Sequence, residues 1–300
     1  MKTLKSLKFL SSLAMAAALP LTVHGALDTN RIEQLTGLKG TWSAAEGVFK
    51  VTLPRSDVKI AVDGWTMPPF MGLASWAAFT EAKMGGMMVM GDTVLFQDEV
   101  NPVMTVALDN GLSVTALHNH FFYDEPKVYF MHIGGEGSAE KLAAAVRKVW
   151  DKVKEIRAAN RQPTITFGGT PLPAQSSITG KTIEDVLGAK GQANNGMFKL
   201  VIGRSTKMMH TEVGKEMGVN TWAAFAGSDD NAVVDGDFAV LEDELQPVLK
   251  SLRKGDINIV AIHHHMTHEE PRILFLHYWG KGKTVDLAKA LKAALETQTK

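Results

Sequence analysis

Ala116-Leu-His-Asn-His-Phe-Phe-Tyr-Asp-Glu-Pro126, followed by Val128-Tyr-Phe-Met-His-Ile-Gly134, returns 145 positions later. The second version reads Ala261-Ile-His-His-His265, then Glu269-Glu-Pro-Arg-Ile-Leu-Phe-Leu-His-Tyr-Trp279. Each version is a pair of apolar runs flanking a turn sequence, the signature of a β-hairpin. Side chains alternate between the faces of a strand, so His118 and His120 share one face, as do His263 and His265. Centring the hairpins on Glu125 and Glu270 sets His118 opposite His132, His120 opposite Phe130 and His277 on the matching face of its copy. Leu117, Phe121, Tyr129, Met131 and Ile133 fall on the other face, which is expected to pack against helices.

Working outward, the repeat extends well beyond the hairpin. Ile32-Glu-Gln-Leu-Thr-Gly-Leu-Lys-Gly40 matches Ile183-Glu-Asp-Val-Leu-Gly-Ala-Lys-Gly191, and Gly47-Val-Phe-Lys-Val51 matches Gly196-Met-Phe-Lys-Leu200. Arg55 falls on Arg204, and Met71-Gly-Leu-Ala-Ser-Trp-Ala-Ala-Phe79 on Met217-Gly-Val-Asn-Thr-Trp-Ala-Ala-Phe225. Gly91-Asp92 and Asp98-Glu99 fall on Gly236-Asp237 and Asp243-Glu244. The order is kept throughout, so the chain carries one unit twice. The expected division is repeat 1 over 26–160, a linker or surface crossover over 161–180, and repeat 2 over 181–300. The linker is rich in Pro, Gly, Ser and Thr and shows no helical period.

Within each repeat a short helix (Ile32 to Leu35, Ile183 to Leu187) stops at Gly37 or Gly188. Strands are predicted over 48–53, 58–62, 73–79 and 89–96. A helix starts around Asp98 to Pro102, where acids suit the first turn and proline costs least. After the hairpin, Ser138 or a neighbour caps a long amphipathic helix carrying Leu142, Val146, Val149, Trp150, Val153 and Ile156. The second copy repeats this with Leu287, Leu291 and Leu295. The expected class is α+β: a tandem, pseudo-symmetric repeat, each copy a mainly antiparallel sheet with two packed helices.

Composition narrows the function. Lys2, Lys5 and Lys8 precede an apolar run from Phe9 to Leu21, and Val23-His-Gly25 offers a cleavage site, so 1–25 reads as a signal peptide. The run is too short to span a bilayer, and no later stretch is apolar enough to do so. Without those three lysines the 32 basic residues become 29 against 32 acidic, a net charge of −3. With no basic block either, nucleic acid is not an expected partner. The chain has no cysteine, which excludes disulfides, thiolate metal sites and a lipid anchor. The expected location is the periplasm or the exterior after cleavage near Gly25. Glycine fingerprints for nucleotides, GxSxG and HExxH are absent, so no nucleotide cofactor is expected.

Of the ten histidines, His24 lies in the leader and six of the rest are His118, His120, His132, His263, His265 and His277. Three imidazoles on one rigid sheet face suit zinc, iron, copper or nickel and leave a coordination position open. Glu125 and Glu270 are the candidate proton-moving acids. Their spacing from the His-x-His pair is similar to the first cupin motif, though His132 and His277 do not reproduce the second. The plain alternative is that the histidines hydrogen-bond to acids such as Asp98, Glu99, Asp243 or Glu244, which also serve as helix-start charges. His264 and His268 have Asn119 and Tyr123 as counterparts and fall outside the shared pattern. Met84, Met87, Met88 and Met90 are expected to be packing residues, and Trp76 and Trp222 core residues, with a sugar-stacking platform as the alternative.

The quoted hairpins, with Gln97-Asp-Glu-Val-Asn-Pro102 and Asn220-Thr-Trp-Ala-Ala-Phe-Ala-Gly-Ser-Asp-Asp230, resemble the LppY/LpqO family of exported bacterial proteins. The resemblance covers nearly all of 26–300 and implies an uncharacterised domain. Family members named as lipoproteins would need a cysteine that this chain lacks. Three functions follow as expectations. The first is a periplasmic protein binding a divalent metal or small ligand through each His cluster. The others are a metal-dependent hydrolase or lyase acting on an envelope compound, and a structural envelope protein.

Overall fold

Helix α1 (Thr29–Thr36) stops where the sequence puts Gly37, whose φ of +72° is costly for residues with a Cβ. From there the first half runs β1 (Gly40–Ser43), β2 (Val48–Pro54), β3 (Ala61–Val62), β4 (Trp65–Thr66), β5 (Ala74–Glu81) and β6 (Met87–Phe96). It continues through α2 (Gln97–Asp109), β7 (Ser113–His118), β8 (Asp124–Glu125), β9 (Val128–Gly137) and α3 (Ala139–Ala159). The second half repeats the order: α4 (Gly180–Leu187), β10 (Gly191–Asn194), β11 (Met197–Gly203), β12 (Thr206–Met208), β13 (Thr211–Val213), β14 (Asn220–Ser228) and β15 (Asn231–Leu241). It ends with α5 (Leu245–Lys254), β16 (Asn258–His263), β17 (Glu269–Glu270), β18 (Ile273–Gly282) and α6 (Thr284–Leu295). The computed structural model describes residues 27–83 and 85–299; the leader segment 1–25 lies outside them.

The expected mostly antiparallel sheet is present, with three helices per half instead of two. The short opening helices also pack, because Ile32 and Ile183 are fully buried against the shared core. Twelve strands form one sheet in the order β1-β2-β5-β6-β9-β7-β16-β18-β15-β14-β11-β10. Small three-stranded sheets, β4-β3-β8 and β13-β12-β17, lie beside it. One apolar cluster runs under the helices through both halves, from Leu117, Met131 and Val146 to Ile262, Leu276 and Leu291. Behind the sheet, Val58, Ile60, Met67 and Leu73 cover Val94, Phe96, Val128 and Phe130. Most of the strand expected over 58–62 is therefore a loop that packs on this second layer; only Ala61–Val62 pairs.

At the centre, β7 and β16 meet at a single ladder position, Leu117 opposite Ile262. Both strands bulge just before it, between Val114 and Ala116 and between Ile259 and Ala261. Each bulge frees a backbone N–H and C=O, and the other half supplies their partners. Val114 N–H donates to Gln246 Oε1 (2.9 Å), and Gln246 Nε2 donates to Val114 O (2.8 Å). Reciprocally, Ile259 N–H donates to Asn101 Oδ1 (2.7 Å), and Asn101 Nδ2 donates to Ile259 O (3.1 Å). Asn101 and Gln246 occupy equivalent places in α2 and α5, so each half closes the other's sheet with one amide side chain.

The helix-start acids anchor the outer layer. Glu99 is fully buried; it accepts from Phe96 N–H and pairs with Arg55 (2.7 Å) and Arg157 (2.8 Å). Glu244 accepts from Leu241 N–H and pairs with Arg204. Burial alone would raise the Glu244 pKa, but Arg204, Thr299 and the Leu241 amide outweigh it and hold the carboxyl at about 2. The segment 161–179 between α3 and α4 is largely exposed. Thr164 N–H donates to Asp98, Asn231 donates to Pro171 O, and Ser177 bridges to Ser228.

Two outcomes are expected. Asn101→Leu leaves both Ile259 backbone groups unpaired and lowers stability by about 2–4 kcal/mol in urea denaturation, as does Gln246→Leu at Val114. Because the folded pKa of Glu244 is depressed, its contribution is present above about pH 4.5 and lost as pH falls towards 2. Glu244→Gln is therefore expected to flatten the acid limb of stability against pH, removing on the order of 3 kcal/mol at neutral pH.

Candidate functional site

Side chains that are cross-strand partners point to the same face, and four adjacent strands align one polar row. In the first half, Trp76 on β5 faces Asp92 on β6, which faces His132 on β9, which faces Ala116 on β7. In the second, Trp222, Asp237, His277 and Ala261 repeat the row. The row lies on the face away from the helices. The glycine before each acid follows from packing: a Cβ at Gly91 would meet Trp76 O at 2.7 Å, and one at Gly236 would collide with Trp222 O.

The expected pairing of His118 with His132 needs correction. His118 stands opposite Phe130, and Ala116 opposite His132. The hairpins centre one residue earlier, because Asp124–Glu125 and Glu269–Glu270 leave them to pair with β3 and β12. The resulting slip is two positions, which preserves the face assignments of the residues that remain in the ladder. His120 and His265 lie just beyond the strand ends. Their rings stack on Phe130 (centroids 3.3 Å apart) and Phe275 (3.5 Å), which returns them to the cluster. Phe121 escapes the alternation for the same reason and packs on the second layer instead of the helix face.

The three histidines of each half do come together. His118 and His132 bring their Nε2 atoms to 3.0 Å, and the His118 and His120 rings are 5.0 Å apart. The His263 and His277 rings stack at 4.7 Å, and His265 Nε2 lies 3.1 Å from Asp237 Oδ2. Donor atoms of Asp237, His263 and His265 all lie within 4.8 Å of one another. Asp92 and Asp237 are only 6% and 2% exposed, and the Oδ1 atom of each is buried without a hydrogen-bond partner. The pKa of His120 is lowered by burial and then by His118, with Asp92 opposing. That of His263 is lowered by burial, against the pull of Asp237, with His277 and His265 adding to the lowering. Both shifts favour neutral imidazole, the form that ligates a metal.

Other expected contributors stand elsewhere. Glu125 and Glu270 are exposed on the small sheets, and the acid that acts on each histidine group is Asp92 or Asp237. Asp98 pairs with Arg157, while Glu99 and Glu244 are held by arginines and a backbone amide, so these acids serve the helix starts. Trp76 and Trp222 are half-buried on the open face instead of in the core, with Lys50 and Lys199 lying 4.4 and 4.2 Å over their rings. His264 and His268 are exposed. Met87 joins the core and Met90 is exposed, while Met84 lies outside the described residues. Beside the first cluster, a cleft of about 530 Å³ is lined by Lys50, Phe70, Trp76, Asp92 and His120. Sequence reasoning passed over Asp92 and Asp237, although the repeated Gly-Asp marked them: Asp92 is the one charged residue in β6.

The fold is thus a duplicated α+β unit with an Asp/His cluster in each copy. The chain belongs to the family described as Domain of Unknown Function (DUF1259), whose profile matches residues 30–152 and again 181–297. No curated protein matches. Among solved structures, the chain is similar to a trimeric bacterial microcompartment shell protein, PduB, at 10% identity, covering 86% of this chain and 89% of that one. The TM-score is 0.23, a superposition too loose to carry fold or function across.

A buried carboxylate oxygen without a partner costs stability in the metal-free protein. Asp92→Asn is therefore expected to keep or raise the melting temperature in the presence of EDTA, read by thermal denaturation.

Proposed function

We propose that this is an exported metal-binding protein holding one divalent transition ion in each half. The ligands are Asp92, His118, His120 and His132 in the first, and Asp237, His263, His265 and His277 in the second. The observation that carries this reading is the unpartnered, almost fully buried Asp92 and Asp237 oxygen beside neutral-favouring imidazoles, found twice. Donor atoms sharing one ion at about 2.0–2.1 Å stand about 3.0–3.4 Å apart. The 3.0 Å His118–His132 and 3.1 Å Asp237–His265 separations fit such edges. Imidazoles with one carboxylate favour zinc or iron over the copper(I) that thioethers would select.

The same proposal takes the chain as a member of the LppY/LpqO group, with 1–25 a cleaved leader, a periplasmic location and two repeats that form one pseudo-symmetric body. Support for that symmetry comes from the strand order, which reads alike from either edge inward. A second reading, a metal-dependent hydrolase or lyase acting on an envelope compound, is favoured by the open cleft beside Asp92 and His120. There the metal-bound water would carry the chemistry.

Elemental analysis after zinc loading and desalting is expected to give about two equivalents per chain. Asp92→Ala with His118→Ala should lose one, and the added Asp237→Ala and His263→Ala both. Saturating zinc at about a hundredfold over Kd should raise stability by about 2.7 kcal/mol per site, and EDTA should reverse it. A protein that retains no zinc and melts identically with EDTA would contradict the proposal.

A further inference from the structure

The seam between the halves opens on one side into two adjoining cavities of about 320 and 300 Å³ that share Gln97, Asn101 and Phe167 as walls. The first is mainly apolar, with Tyr129, Val260 and Trp279, and also includes His277 and Asp235, the latter one strand beyond Trp279 from Asn258. The second ends at Arg253 and Asn258. The crossover segment lies over both, contributing Thr164, Ile165, Thr166 and Phe167.

Arg253 sets the chemistry. Its guanidinium donates to Thr105 Oγ1 (3.1 Å), Ile257 O (2.7 Å) and Asn258 Oδ1 (3.3 Å), all neutral acceptors. Among the described residues it forms no ion pair; the nearest acid acting on it is Asp256, which only partly offsets the effect of burial. Asp98, at the other end of this cavity, is engaged by Arg157 and by Thr164 N–H. Asp98 also lies about 10 Å along α2 from Thr105, the residue that anchors Arg253.

The arginine is also specific to this side of the seam. Its counterpart in the first repeat is Leu108, buried in the core. The charge was therefore not inherited with the repeat. A half-buried guanidinium with a free edge, opening into an apolar cavity, recognises an anion attached to a nonpolar body.

We propose that this seam binds a small amphipathic carboxylate. Its carboxylate pairs with Arg253 and Asn258, and its nonpolar part runs under Phe167 towards Trp279. Asp235 at the far end enforces that direction by repelling the carboxylate. The site needs no metal, although an occupant lies beside His277.

Calorimetric titration of the full-length mature protein with octanoate, octanol and octylamine tests this. Octanoate should bind at least tenfold tighter than either control. Arg253→Gln should abolish that preference, and Val260→Trp, which fills the apolar cavity from an exposed position, should remove binding of all three. The symmetry-related Thr115→Trp should leave octanoate binding unchanged, and all three variants should keep their zinc stoichiometry. Failure of octanoate to bind, or equal binding by Val260→Trp, would overturn the seam site. An unsubstituted protein that binds octanoate but retains no zinc would count against the metal reading instead.

Discussion

Two amide side chains decide whether this chain is two domains or one. A central sheet joined at a single ladder position would leave bulged, unpaired backbone on both sides of the seam. Asn101 and Gln246 supply a donor and an acceptor to the bulged strand of the opposite half. Because a buried, unpaired peptide group is costly, neither half completes its sheet alone. The continuous core beneath the helices is the packing counterpart of that exchange.

The departure of Asp124–Glu125 and Glu269–Glu270 to the small sheets also shapes what lies on the other face. It shifts the hairpin register by two while keeping the parity, which leaves Ala116 and Ala261, small residues, opposite His132 and His277. Space is thereby left for His118 and His263 to turn towards those partners. Stacking on Phe130 and Phe275 then recovers His120 and His265, which the strands no longer hold. The acid beneath each group comes from the neighbouring strand, at a row position whose preceding glycine must lack a side chain.

Much of this was legible in the sequence because periodicity and duplication are local signals. The duplication, the helix stops at Gly37 and Gly188, the Ser138 cap and the shared face of the histidines could all be read from spacing. Hidden from it were features set by tertiary contacts. The strand-like 58–62 became mostly a covering loop, since its apolar side chains found a second layer over Phe96 and Phe130. Glu125 looked like the acid partner because it is near in sequence, whereas the nearby acid in space, Asp92, comes from a strand some forty residues from His132 in the chain. Trp76 read as core by composition, yet strand parity turns it to the open face, where Lys50 covers its ring.

The claim on which the functional account rests is that each Asp/His group is a coordination sphere and not a hydrogen-bonded polar cluster. X-ray absorption of the zinc-loaded, desalted protein tests it most directly. A nitrogen and oxygen shell at about 2.0–2.1 Å is expected, with the outer-shell scattering of about three imidazoles per zinc. Asp92→Ala combined with Asp237→Ala should change that shell. A spectrum of hydrated zinc without imidazole scattering, the same in the variant, would contradict the claim.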